Sequence, residues 1–319
     1  MDKINNIEEF MQDNSILYKN IGKLGEVYKK KHLNEWDKNK LETDWWYATN
    51  FFFNHSFMRG RVDTVSLAYW KFTKIVLERL FGHGESPPTS ILMKYKDYFD
   101  RYPDIKKFKK GRENIIGKEK LKEFHKAFNE NIITNTLTNT IRTEELRGNN
   151  PICLENDKDL LMVIHYFKHL TSNNIDNIYL YIIKKIEEGK IKEVYKELDS
   201  IDNIGDKLAT FIIRDIGLLN EGLIKEKDFQ YAIPVDTWVQ QIYNLLQNSS
   251  EEEIRGPLTS KRIKTIKNWI IDICSKNNID GLKFAAGLWV LGYHSLDLLM
   301  KNYLNKEFNG HYKLDFKSS

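Results

Sequence analysis

The sequence predicts an all-α protein. Apolar residues recur at three- and four-residue spacing over long stretches, as at Ile191, Val194, Tyr195 and Leu198. Six prolines are few for 319 residues, and aspartates stand where helix N-caps are needed, Asp44 and Asp236 among them. With 41% hydrophobic and 13% aromatic residues, the chain can bury a sizeable core as one large domain or two intimate ones.

In chain order, "LETDWWYATNFFFNHSFMRGRVDTVSLAYWKFTKIVLERLFG" reads as two packed helices. Asp44 caps the first, Asp63 or Thr64 caps the second, and "FGHGESPP" ends the pair. Trp45, Trp46 and Phe51 to Phe53 sit at helical spacing, the mark of core more than of a binding wall. Residues 101–126 hold ten Lys or Arg against four Asp or Glu, a locally basic stretch whose plainest reading is a solvated helix face. The polar run from 129 closes at Gly148 and Pro151, where a boundary or inserted loop is expected. The expected organisation is an N-terminal helical part over 1–100, a basic and polar insertion or linker over 101–157, a helical core over 158–303 and a tail over 304–319. His165 and His169 are spaced i,i+4 but lack a carboxylate at ligand spacing, so they read as packing or surface residues.

Charge and cysteine usage bound the function. With 49 Lys and Arg against 45 Asp and Glu, the net charge of +4 allows a polyanionic partner without demanding one. Two cysteines, Cys153 and Cys274, exclude a four-cysteine metal cluster. The stretch "MDKINNIEEFMQDN" has neither the basic start nor the apolar core of a secretory signal, and nothing approaches the apolar run of a membrane span. The expected setting is therefore intracellular: the cytoplasm or nucleoid.

The most informative stretch is "IDNIGDKLATFIIRD", residues 201–215. An amphipathic helix ends near Leu198, a turn carries Asn203 and Gly205, and a second amphipathic helix bears Leu208, Ile212 and Ile216. That is a helix-hairpin-helix. Asn203 and Gly205 are residue types that tolerate positive φ, so the chain can reverse sharply and point the first amides of the next helix outward, as a phosphate oxygen requires. Lys207 stands where the helix dipole disfavours a cation. Downstream, "YAIPVDTWVQQIYNLL" places Asp236 ahead of another amphipathic helix, where by itself it reads as an N-cap worth about 1 kcal/mol.

Together, "IDNIGDKLA" and "PVDTW" resemble the signature of the helix-hairpin-helix DNA glycosylase superfamily, L-P-G-V-G-x-K-x-A followed by V-D-T/V-x. With "LKFAAGLWVLGYHSLDLL" as the closing helix, the resemblance covers roughly residues 160–303, and residues 44–82 are placed as the first helices. It implies an all-α, two-lobed fold with the active-site cleft between lobes, with 158–303 as the glycosylase core. It also implies a catalytic Lys207, whose ammonium is disfavoured by burial and helix dipole, and a catalytic Asp236 that stabilises the cationic sugar. Having both residues favours the class with AP-lyase activity. "IPVD", the 29-residue separation of Lys207 and Asp236 and the lack of clustered cysteines resemble the archaeal-type 8-oxoguanine branch, in which a tryptophan on the last helix stacks on the base. Trp289 occupies a comparable place.

The implied activity is a bifunctional DNA glycosylase and AP lyase of base excision repair, excising an oxidised purine, most specifically 8-oxoguanine, by base flipping. Its implied partner is double-stranded DNA with a damaged base, bound by a monomer without cofactor or metal. Asn203 and Gly205 would grip phosphate, as would Lys261, Arg262 and Lys264 of the basic "TSKRIKTIK". Trp238, Trp289 and Asn54 are the candidates for the base pocket or for filling the gap left by the flipped base. The pattern departs from the signature at Asp202 and Asn203, which replace its Pro and first Gly, and at Trp238, where histidine is common. The alternatives are a non-catalytic DNA-binding protein and a same-fold glycosylase acting on a thymine or uracil lesion.

Overall fold

The computed structural model describes residues 2–58, 157–247 and 257–307, with isolated positions at Ser66, Trp70, Lys71 and Lys74. Every regular element among them is helical. The expected second cap at Asp63 or Thr64, the basic stretch 101–126, the boundary near Gly148 and Cys153 lie outside the described residues. The chain divides into two compact units, one of residues 1–35 with 225–319 and the other of residues 36–224.

In the unit of residues 36–224, short α2 (Lys38–Thr43) leads into α3 (Trp45–Ser56), and α4 (Asp157–Ser172), α5 (Ile178–Glu187), α6 (Ile191–Ser200) and α7 (Asp206–Leu219) follow. Asp44 caps α3 as the sequence requires, accepting from the amides of Trp46 at 2.8 Å and Tyr47 at 3.0 Å. The aromatic run is core: Trp45, Trp46, Phe51, Phe52 and Phe53 are all buried. Phe53 packs between Trp70, Tyr166 and Phe167, and the hydroxyls of Thr49 and Tyr166 meet at 2.8 Å. Asn177 caps α5 and also donates to the carbonyls of Leu41 and Glu42, fastening α5 to α2. His165 is buried, and burial holds His169 below the usual histidine range against the opposing pull of Glu197, so both are packing residues.

In the unit of residues 1–35 with 225–319, α1 (Asp2–Tyr28) runs into a π-turn (Lys29–Leu33). A 3₁₀ turn (Glu226–Tyr231), α8 (Thr237–Leu246), α9 (Ser260–Asn277) and α10 (Gly281–Glu307) complete it. Ile21, Ile233, Val239, Ile242, Ile266, Ile270, Phe284 and Leu288 form one apolar cluster. Glycines set the spacing of α1 and α10: a Cβ at Gly287 would stand 1.8 Å from the Ile21 carbonyl oxygen, and one at Gly25 would stand 2.1 Å from that of Lys283. Backbones that close exclude even a methyl group.

Candidate functional site

The hairpin is present. α6 buries Ile191, Val194 and Leu198, α7 buries Leu208, Ile212 and Ile216, and the turn between them spans Ile201 to Gly205. Asn203 has φ 64°, the left-handed backbone that lets the chain reverse. Gly205 differs from the expectation, because its φ of −104° is ordinary extended backbone and the reversal rests on Asn203 alone. Gly205 is instead the N-cap of α7. A Cβ there would meet nothing within 4 Å. Neither backbone strain nor internal packing calls for glycine at this position, so the surface in front of the first turn of α7 stands open to close approach.

Asp202, which departs from the family signature, is buried and accepts from the Asn203 side-chain amide at 2.9 Å. Its carboxylate thus braces the turn from inside and is not displayed at the surface. Asp206 is tied back to α6 by the Tyr195 hydroxyl, which donates to Oδ1 at 2.8 Å. Lys207 follows in the first turn of α7, half-buried. Asn54 is half-buried in a stretch of α3 where Phe51, Phe52, Phe53, His55 and Ser56 are all buried.

Two turns further along α7 lies a group the sequence reading missed. Arg214 and Asp215, seven and eight positions beyond Lys207, are fully buried. Arg214 Nε donates to Asp215 Oδ1 at 2.7 Å, the His55 Nε2 atom lies 2.8 Å from Asp215 Oδ2, and the guanidinium lies 4.6 Å from the Phe211 ring centroid. Adjacent opposite charges inside the apolar run "ATFIIRDIGLL" were the available signal.

The other predicted residues lie in the unit of residues 1–35 with 225–319. Asp236 is the N-cap of α8, its Oδ1 accepting from the amides of Trp238 and Val239, each at 3.0 Å. It is 8% exposed. Trp238, half-buried, presses on α10 at Gly292 and meets Tyr293 edge-on at 6.3 Å. Tyr293 stacks on Trp289 with centroids 5.3 Å apart and planes 11° apart, and His32 and Tyr28 meet Trp289 near the perpendicular. Asp236, Trp238 and Trp289 therefore belong to one connected set. Trp289 is half-buried within it, while Tyr293 is the outward ring, 41% exposed. Sequence reasoning named the tryptophans and missed Tyr293, one turn beyond Trp289 in "LWVLGYH".

In α9, Thr259 caps the helix by accepting from the Arg262 amide, and Lys261 and Lys264 are exposed. Arg262 is committed internally, its Nη2 donating to the buried Asn244 side chain. The basic run thus divides into two outward lysines and an arginine with a structural contact. Cys274 is buried, which pushes its thiol up to about 12, with Asp280 and Glu226 adding to the shift, so it is no nucleophile at neutral pH. No helix among the described residues is long and apolar enough to cross a membrane. Comparison with models of known protein families, with curated proteins and with solved structures finds no match to the chain.

Proposed function

We propose that the protein is a DNA glycosylase with AP-lyase activity that uses Lys207 as nucleophile and Asp236 as its electrostatic partner. The observation that carries the reading is the hairpin: a left-handed Asn203 turns the chain into a helix whose N-cap is a glycine required by neither φ nor packing, with a lysine in the first turn. Helix amides and a bare Cα suit a phosphate oxygen, and Lys207 stands beside them in the same first turn.

The chemistry balances without a cofactor. The Lys207 amine, in its neutral form, attacks C1′ as the bond to the base breaks, and the base leaves with the electron pair and takes up a proton. Asp236 offsets the positive charge on the sugar during that step. Ring opening of the aminal gives an iminium, loss of a C2′ proton expels the 3′ phosphate, and water releases the lysine. The reading asks that both residues reach one deoxyribose in a cleft of a two-lobed fold, and it takes 8-oxoguanine as the lesion.

Borohydride trapping on duplexes carrying 8-oxoguanine, an abasic site or no lesion tests this. The expected result is a covalent adduct on the 8-oxoguanine duplex that Lys207→Ala abolishes. Trapping on the abasic duplex alone would keep the lyase and move the lesion to another base, such as a thymine or uracil product. No adduct on any duplex would overturn the lysine mechanism. A second reading, a non-catalytic DNA-binding protein, draws on one observation: Asp236 Oδ1 already serves as a helix cap, a role that needs no catalysis.

A further inference from the structure

A π-turn at Lys29–Leu33 follows directly on the end of α1. It places Lys30, Lys31 and His32 at the surface, with Leu33 buried beneath as the anchor. The His32 ring lies on Tyr28 at 4.9 Å and meets the edge of the Trp289 system at 5.6 Å. Tyr293 stacks on Trp289 at 5.3 Å and is exposed, as is His294 at 5.3 Å from it. The close approach of α1 and α10 at Gly25 and Gly287 holds the two sides of this array in register. Of the nearby acids, Glu26 is paired with Lys283.

We infer that Lys30, Lys31, His32 and Tyr293 form a contact surface for a DNA strand, the lysines holding phosphates and the two rings stacking on unpaired or splayed bases. The inference rests on the DNA reading above and adds to it residues outside the hairpin, Asp236 and the basic run of α9. Its chemistry is that of strand-binding grooves generally, where lysines track the backbone and exposed aromatic faces take bases. Charge complementarity decides the occupant: an apolar peptide would leave the lysines unanswered, and a free anion would leave the rings unused.

The test is fluorescence anisotropy with the full chain and a duplex bearing a tetrahydrofuran abasic analogue, across salt concentration. Lys30→Gln/Lys31→Gln is expected to flatten the log–log salt dependence by about 1.8, the value for two phosphates, equivalent to about a twelvefold smaller loss of affinity between 50 and 200 mM salt. Tyr293→Ala is expected to weaken binding by about tenfold with the salt slope unchanged, and Tyr293→Phe to restore it. Unchanged melting temperatures exclude misfolding as the cause. Wild-type affinity and slope in all variants would overturn this surface while leaving Lys207 trapping intact. A lysine effect without a Tyr293 effect would also overturn it, reducing the patch to a general polyanion contact. Failure of the wild type to bind any duplex would overturn both this inference and the reading on which it rests.

Discussion

His55 on α3 and Asp215 on α7 meet at 2.8 Å in the interior, each almost without solvent exposure. The other ring nitrogen of His55 lies 2.7 Å from the Phe51 carbonyl oxygen, which can only accept, so the ring donates from Nδ1. Arg214 takes the second carboxylate oxygen. The helix that carries Lys207 is thereby fixed to the one that carries Asn54 by a charged contact, where a purely apolar interface would set position less sharply.

Removing Asp215 should be costly. Burial alone would raise its carboxyl, but Arg214 and His55 outweigh it and hold Asp215 below the usual carboxylate range. A depressed folded-state value contributes stability that is fully present above the unfolded value of about 3.9 and is lost as pH falls through the folded value. Asp215→Asn, which leaves Arg214 buried without its counter-charge, is expected to cost about 3–5 kcal/mol at pH 7. Urea unfolding of wild type and variant should show that gap narrowing below about pH 4. A gap independent of pH would refute the charged assignment.

Gly287→Ala should be among the most damaging single changes in the unit that holds it. The added methyl would stand 1.8 Å from a backbone oxygen, which cannot turn aside as a side chain would. A cost of about 3 kcal/mol or more is expected, seen as a lowered thermal midpoint, because α1 and α10 must separate to admit it. Gly189→Ala, at φ 75° with nothing within 4 Å, isolates the backbone cost without the clash. Its penalty should be the smaller, about 1 kcal/mol.

The hairpin separates fold from function at two neighbouring positions. Asn203→Ala and Asn203→Gly both remove the amide that donates to buried Asp202, but only alanine must also hold φ 64° with a Cβ, so it should be the less stable of the two by about 1 kcal/mol. Gly205→Ser places a good N-cap in open space at an extended φ, so stability should hold or rise by a few tenths of a kcal/mol. On the proposed function the same serine obstructs a phosphate and weakens duplex binding by about tenfold. A stable Gly205→Ser with wild-type affinity would remove the hairpin from the interface.

What was legible in the sequence follows the range of the interactions involved. Helical periodicity and caps are local, so the all-α class, Asp44 and the hairpin could be read directly, and the aromatic run was correctly read as core. The charged contact of His55, Arg214 and Asp215 joins positions 160 apart in the chain, and no spacing rule reaches that far. The division of the chain also depends on long-range packing: residues 1–35 belong with 225–319 because α1 meets α10, with glycines on both partners that look ordinary one at a time. Gly205 shows a subtler limit. Glycine signalled positive φ, whereas the structure uses that position for open space and puts the left-handed residue two places earlier.

Asp236 carries two possible roles, and one pair of substitutions divides them. As a cap it accepts two amide hydrogen bonds through Oδ1, which an asparagine oxygen does about as well. As a catalyst it needs its negative charge, which asparagine lacks. Asp236→Ala should therefore cost about 1 kcal/mol of stability, and Asp236→Asn only a few tenths. If the carboxylate offsets the sugar cation, both variants should lose base excision by about a hundredfold or more, the scale on which one preorganised charge contributes to a rate. Single-turnover excision and thermal melting on the same preparations measure the two quantities side by side. Excision that follows stability, with Asp236→Asn active and Asp236→Ala impaired, would leave Asp236 a cap and assign the sugar's counter-charge to another carboxylate. Loss of excision in the well-folded Asp236→Asn protein, with Lys207 still trapped on a preformed abasic site, would assign the charge to cleavage of the glycosidic bond.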